Sequence, residues 1–289
     1  MIAVMGAAGN VGGRVADRLL REDRQVRVLE HRRKLDGLAA RGATVVRGEA
    51  GNPGDLRELF DGAGTALVLL PEDLADPDFT ANRSRMSAAI ADALAGSGVE
   101  QVVVVSTVGA GLADAVGPPA GLRELERRLA RLEALDVLTL RSGFYMENLL
   151  AALPTVQSQH RNGSAIDGEV PIPMIATRDV AGEAATRLLR RDVTGHQVKL
   201  LLGPEDVTMA AATRAIGDRL GLPDLPYVQF PPDGVRAALA GAGLSEEAAA
   251  LMVDMQLAMN RGWPFASVRR TAEAATPTTL ETFLKEALP

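Results

Sequence analysis

The chain has 289 residues, 47% of them apolar, and a formal net charge of −6, enough for one large domain or one and a half but with no overall attraction to nucleic acid or an anionic membrane. It has no cysteine, which excludes disulfides, thiolate catalysis and iron–sulfur clusters, and its histidines, His31, His160 and His196, stand too far apart for a metal-ligand spacing. No apolar run approaches the roughly 18 residues of a membrane span, and Met1–Met5 opens without the basic-then-apolar pattern of a signal peptide, so a cytoplasmic protein is expected.

The predicted elements alternate through the first half. Ile2–Met5 reads as a short buried strand, and Val11, Val15 and Leu19 at i, i+4, i+8 share one helix face. Gln25–Leu29 is the next strand. A helix through Leu35, Leu38 and Ala39 leads to a strand at Ala43–Val46, and one through Leu56, Leu59 and Phe60 leads to Thr65–Leu70, which Pro71 ends. A helix from about Thr80 to Ala95 precedes Gln101–Val105. A charged helix from about Leu122 to Leu135 precedes Val137–Leu140. Continuous apolar strands are buried on both faces, as in a parallel sheet, so strand–helix repeats of this kind predict a doubly wound, Rossmann-like α/β fold. Beyond it, Gly168–Ala176 is Pro-rich and extended, and Thr177–Arg191 is a helix with Thr177 as its expected N-cap. Val198–Leu202 is a strand and Thr208–Leu220 a helix. Pro-rich chain from Gly221 to Asp233 crosses to a small helical region. There Ala248, Leu251, Met252, Met255 and Met259 form an apolar stripe read as core. "TPTTLETFLKEAL" closes the chain as a capped helix.

Gly6, Gly9 and Gly12 form G-x-x-G-x-x-G at the joint of the first strand and first helix. A dinucleotide pyrophosphate needs a tight turn, close backbone approach and close helix–strand packing there, and it sits on the free N–H groups of the helix N-terminus. The end of the second strand reads the adenosine ribose in such folds. Glu30 stands there, 18 residues after Gly12, and a carboxylate accepting both ribose hydroxyls suits NAD. His31, Arg32 and Arg33 follow directly and offer a grip for a 2′-phosphate instead, or else form a solvated helix start. Glu49, after the third strand, is either at the adenine or on the surface.

The segment "LTLRSGFYMENLL" (138–150), together with the glycine loop, "ATRDVA" (176–181), "GP" (203–204) and "TPTTLETF", resembles the NmrA-like group of atypical short-chain dehydrogenase/reductases, particularly its bacterial NAD(P)H:quinone-oxidoreductase-like members. The resemblance runs along nearly the whole chain. It implies a Rossmann domain (1–152 and 176–224) and a smaller, mainly helical substrate subdomain (153–175 and 225–289), with the last helix packed back and a cleft between them. It implies NAD(P)H as cofactor, with Gly6, Gly9, Asn10, Val11 and Gly12 at the pyrophosphate. Leu70, Pro71, Ser106 and Thr107 would line the nicotinamide side. Gly143, Phe144, Tyr145 and Asn148 would shape the nicotinamide end and the substrate cleft, Phe144 being equally at home in a core.

The sequence departs from ordinary members in three places. Tyr-x-x-x-Lys is absent: Leu149 stands four residues after Tyr145 and Pro231 four after Tyr227. "LRELERRLARLE" has no lysine where some relatives carry one, and Arg127 is the nearest cationic match. Glu30 replaces an arginine common among relatives, so their NADP preference does not carry over. Tyr145, Ser106 and Thr107 are candidate proton donors, none with a visible tuning partner. Trp263 and Phe265, in "NRGWPFASV", either stack on a flat ligand or plug two subdomains together. The expected function is therefore NAD(P)H-dependent hydride transfer to a small planar, quinone-like acceptor. The alternatives are a non-catalytic dinucleotide-binding redox sensor acting through a protein partner, and a biosynthetic reductase of a specific natural product. Expected partners are a small-molecule substrate and, as an open option, a second copy of the chain; no metal, nucleic acid or membrane is expected.

Overall fold

Apolar runs of the first half become the strands of one parallel sheet because both sheet faces are covered by helices. The computed structural model describes residues 1–288. In chain order its elements are β1 (Ile2–Val4), α1 (Asn10–Arg21), β2 (Val26–Glu30), α2 (Asp36–Ala39), β3 (Thr44–Arg47), α3 (Pro53–Phe60), β4 (Thr65–Val68), α4 (Phe79–Ala95), β5 (Gln101–Thr107), α5 (Pro119–Leu129) and β6 (Asp136–Ser142). There follow β7 (Phe144–Tyr145), α6 (Leu153–Gln159), β8 (Asn162–Ser164), β9 (Ile172–Ile175), α7 (Thr177–Arg190), β10 (His196–Leu201), β11 (Asp206–Val207), α8 (Met209–Leu220), β12 (Tyr227–Gln229), α9 (Pro232–Gly241), α10 (Glu246–Met259) and α11 (Leu280–Ala287).

The main sheet has seven strands in the order β10-β6-β5-β4-β1-β2-β3, all parallel. Alternation along each strand sends residues to opposite faces. Val4, Val28, Leu67, Val103 and Leu138 pack with α1 and α7. Ala3, Leu29, Ala66, Val68 and Val104 pack with α3, α4 and α5. Chain order reverses between β1 and β4, the switch point at which open α/β sheets take ligands.

A third core lies outside the sheet. It joins β9 (Ile172, Met174), α8 (Met209, Ala212, Ile216), Met259 of α10 and α11 (Leu280, Phe283, Leu284). Thus α8, which the resemblance assigns to the Rossmann domain, shares its core with the C-terminal helix. Asp179, in the first turn of α7, fastens that helix's entry by accepting from the Thr278 N–H (3.1 Å) and hydroxyl (2.8 Å), which gives "ATRDVA" a structural role.

The expected cap of α7 is corrected. Thr177 is its first helical residue, and the N-cap position is Ala176, which has no side-chain cap. Glu147 does the capping instead, its carboxylate accepting from the Thr177 N–H at 3.1 Å and from the Thr177 hydroxyl. In the methionine stripe, Ala248 and Met259 are buried while Leu251, Met252 and Met255 are half-buried, so the core reading holds for the stripe's ends only.

Candidate functional site

At the switch point the chain turns from β1 into α1. Gly6 sits at φ +65°, the left-handed region where a side chain is strained. Gly12 is buried one turn into α1, and a Cβ there would lie 2.4 Å from the Gly6 carbonyl oxygen and 2.7 Å from that of Met5. Gly12 therefore serves the close contact of helix and loop. Gly9 differs. It is exposed at the N-cap of α1, and a Cβ there would meet only the Gly6 oxygen, at 3.4 Å. No side chain caps α1 and its first turn has no acidic residue, so the helix N-terminus around exposed Asn10 and buried Val11 is left to an anion. A backbone cradle that a Cβ at Gly9 would fill, facing an uncapped and anion-compatible helix end, fits a pyrophosphate.

At the adenosine end, Glu30 is the last residue of β2. Glu30 is buried; its Oε2 accepts from the Leu35 N–H at 2.7 Å and its Oε1 from Arg47 Nε at 3.2 Å. The carboxylate organises the turn after β2, with exposed Arg47 as its cationic neighbour. His31, Arg32 and Arg33 are exposed beside it. Arg33 reaches the Ala8 carbonyl of the glycine loop at 3.3 Å, and Arg32 pairs with Asp73 beyond β4. Glu49 is exposed, with its N–H on Asp55 at 2.8 Å.

Leu70 is buried and Pro71 half-buried just after β4. The Pro71 carbonyl accepts from Arg83 Nη1 at 3.1 Å, and the Pro118 carbonyl, just before α5, accepts from Nη2 at 3.2 Å. Arg83 is almost wholly enclosed and so ties together two loops at the same end of the sheet; Glu72 supplies its counter-charge at 3.3 Å. At the ends of β5 and β6, Thr107 donates to the Ser142 carbonyl at 3.3 Å. The Ser142 hydroxyl donates to the Ser106 carbonyl at 2.9 Å and lies 3.2 Å from the Tyr145 phenol. Burial pushes the Tyr145 phenol up to about 12, so it stays protonated through the neutral range.

Ser106 is not without a partner: its hydroxyl donates to Glu126 on α5 at 2.5 Å. Sequence reasoning passed over Glu126 in favour of Arg127, but Arg127 is exposed and Glu126 is the residue turned toward β5. The signal was present. Leu122, Leu125 and Leu129 define the inner stripe of the helix, and Glu126 falls within it.

Gly143 is buried because a Cβ would strike the Pro173 carbonyl at 2.1 Å, which locks the segment to β9. Phe144 packs against the third core, and Asn148 is exposed. The region from α9 to residue 275 lies across this edge of the sheet. The Ser245 N–H at the start of α10 donates to the Leu74 carbonyl at 2.8 Å, and Trp263 packs so close to Gly109, just after β5, that a Cβ there would meet its ring at 2.8 Å. Phe265 joins the third core to a small cluster around Val108 and Leu202, which is the plug arrangement. The Trp263 indole N–H is buried without a partner. Among the described residues no His, Asp or Glu cluster could hold a metal ion, and no helix is long and apolar enough to cross a membrane.

Residues 6–144 match the sequence model of a family described as NAD(P)H-binding. This stretch is an NAD(P)H-binding domain. It contains the part of the edge that runs from the glycine loop to Phe144. A curated relative, an NmrA-like family domain-containing oxidoreductase from Cladobotryum sp, is 31% identical over 167 residues, covering 52% of this chain and 48% of the relative, in keeping with the resemblance read from the sequence. The match thus spans about half the length of that relative. An NADPH-dependent quinone oxidoreductase from Escherichia coli, solved with NADPH, superposes with a TM-score of 0.81 at 23% identity, covering 99% of each chain. The triphenylmethane reductase of Citrobacter sp., solved with NADP(H), superposes with a TM-score of 0.81 at 19% identity over 100% of each chain. At such identities these likenesses establish a common fold around the NAD(P)H-binding domain.

Proposed function

We propose that the protein is an NAD(P)H-dependent oxidoreductase that passes hydride to a small planar acceptor of quinone type, without a Tyr-x-x-x-Lys dyad. The observation that carries this reading is the inward face of α5. It offers Ser106 a glutamate clamped by Arg141 in place of a tyrosine and lysine. The phenol at this edge, Tyr145, has no cation to lower its pKa, which burial pushes up to about 12. A ketone needs a well-matched acid at the moment of transfer, whereas an activated acceptor takes hydride first and its proton afterwards. The bound cofactor supplies the hydride; the residues of this chain bind and orient it. Asn10, Val11 and Gly12 present the α1 N-terminus to the pyrophosphate, and Gly9 leaves room for it. Leu70, Pro71, Ser106, Thr107, Gly143 and Phe144 line the nicotinamide side, and Tyr145, Asn148 and Trp263 face the acceptor. The likeness to a quinone reductase and a triphenylmethane reductase, both named for aromatic or conjugated substrates, supports the acceptor class.

Steady-state oxidation of NAD(P)H with a quinone panel tests the reading. Turnover is the expected result, and dinucleotide binding without turnover on any acceptor would favour the redox-sensor alternative. Tyr145→Phe removes only the hydroxyl. Its rate should stay within about tenfold of wild type, since general acid catalysis is worth on the order of 10²-fold or more. A loss of about a hundredfold, with normal cofactor binding, would identify Tyr145 as the acid.

The preferred dinucleotide is NADP(H). Glu30 is buried and bonded to the Leu35 N–H and to Arg47, while Arg32 and Arg33 lie exposed between the end of β2 and the glycine loop. Exchanging Asp73 for a 2′-phosphate keeps Arg32 paired. Replacing both arginines with alanine should weaken NADP(H) binding about tenfold and leave NAD(H) within about twofold, because only one of the two carries the phosphate they grip. Equal losses for both dinucleotides in parallel titrations would place that phosphate elsewhere.

A further inference from the structure

The buried Ser106 hydroxyl donates to Glu126 Oε1 at 2.5 Å, the length of a charge-assisted O–H···O⁻ bond. Arg141 of β6 holds the same carboxylate with Nε 3.2 Å from Oε1 and Nη2 2.6 Å from Oε2. The Glu126 side chain is 11% exposed, and the exposure has a definite place. Glu126 and Arg141 line a groove of about 230 Å³ between α5, β6 and β10, which Arg123, Arg127, Thr139 and Val198 also line. Arg127 and Val198 are exposed, so the groove opens to solvent. One carboxylate thus touches a buried hydroxyl at the cofactor edge of the sheet and, on its other side, a solvent-open groove on the flank.

We infer that Ser106 and Glu126 form the path by which the proton that completes hydride transfer travels between the site and solvent. The inference rests on the oxidoreductase reading above. An acceptor that has taken hydride carries a negative oxygen. That oxygen forms its O–H bond with the Ser106 proton as the Ser106 Oγ–H bond breaks. Ser106 Oγ takes the proton of the Glu126 carboxyl, and Glu126 regains one from water in the groove. Hydride and one proton together convert the acceptor to its dihydro form, so charge and atoms balance. Arg141 keeps Glu126 oriented toward Ser106 and acts as a positioning residue.

Glu126→Gln keeps the shape of the side chain and an oxygen for Ser106 to donate to, but cannot carry the proton. Its NAD(P)H dissociation constant should stay within about twofold of wild type, while quinone turnover falls about tenfold. Glu126→Ala joins the vacated space to the groove. Added formate, a free carboxylate small enough to reach Arg141 and Ser106, should restore most of the lost turnover. A structural role alone would show the reverse pattern: weakened dinucleotide binding and no rescue. Wild-type turnover in Glu126→Gln, a large rise in its dissociation constant, or an Ala variant that binds dinucleotide normally yet ignores formate would each overturn the path while leaving the oxidoreductase reading intact. A wild-type protein that turns over no acceptor overturns both.

Discussion

Gly12→Val is expected to destroy the cofactor loop rather than merely crowd the cofactor. A Cβ at this position would lie 2.4 Å and 2.5 Å from the Gly6 carbonyl oxygen and carbon, and 2.7 Å from the Met5 oxygen. These are backbone atoms of the turn directly after β1, and β1 is hydrogen-bonded on both sides within the sheet. No rotamer change relieves the clash, so either α1 shifts outward or the turn opens. Overpacking of a dense interior costs about 1–3 kcal/mol and more where the neighbours cannot move. We expect a destabilisation of about 3 kcal/mol or more, seen as a lowered denaturant midpoint, together with loss of dinucleotide binding. A variant with wild-type stability would show that α1 can move away from the loop at little cost.

Gly9→Val separates binding from folding. This glycine is exposed, its φ of −99° is open to any residue, and a Cβ there approaches only the Gly6 oxygen, at 3.4 Å. The fold should therefore tolerate the valine. The side chain would occupy the space at the uncapped α1 N-terminus where the pyrophosphate is expected, and dinucleotide affinity should fall at least tenfold, about 1.4 kcal/mol. The two glycines look equivalent in G-x-x-G-x-x-G; their surroundings make one a packing residue and the other a binding residue. Unchanged affinity in a stable Gly9→Val protein would remove the phosphate from this loop.

That contrast marks how far the sequence could be read. Strands such as Val102–Val105 are legible because burial on both faces leaves an unbroken apolar run, and the glycine spacing at 6, 9 and 12 is legible because a tight turn, room at the helix N-terminus and close helix packing each demand a glycine. Contacts between distant segments are not written in any local pattern. The bonds of Glu30 to the Leu35 N–H and to Arg47 of the neighbouring β3 join segments that no local pattern links. Thr177 has the composition of a cap, yet Glu147, 30 residues earlier, performs the task. In α5, matching residues by charge selects Arg127, whereas the apolar stripe selects Glu126; periodicity was the better guide because it reports which side faces the sheet. The two-residue strand β7 and its parallel pairing with β9 follow from the close approach at Gly143, which carries no periodic signal.

A single-turnover measurement tests hydride transfer at this site most directly. Protein loaded with NADPH, its binding confirmed by titration, is mixed rapidly with excess quinone while the reduced-nicotinamide absorbance is followed. Hydride transfer on this site predicts a first-order loss of absorbance whose rate saturates with quinone concentration and slows when the transferred hydrogen is deuterium. Full occupancy by NADPH with an absorbance that does not change, across acceptors of differing potential, would contradict it.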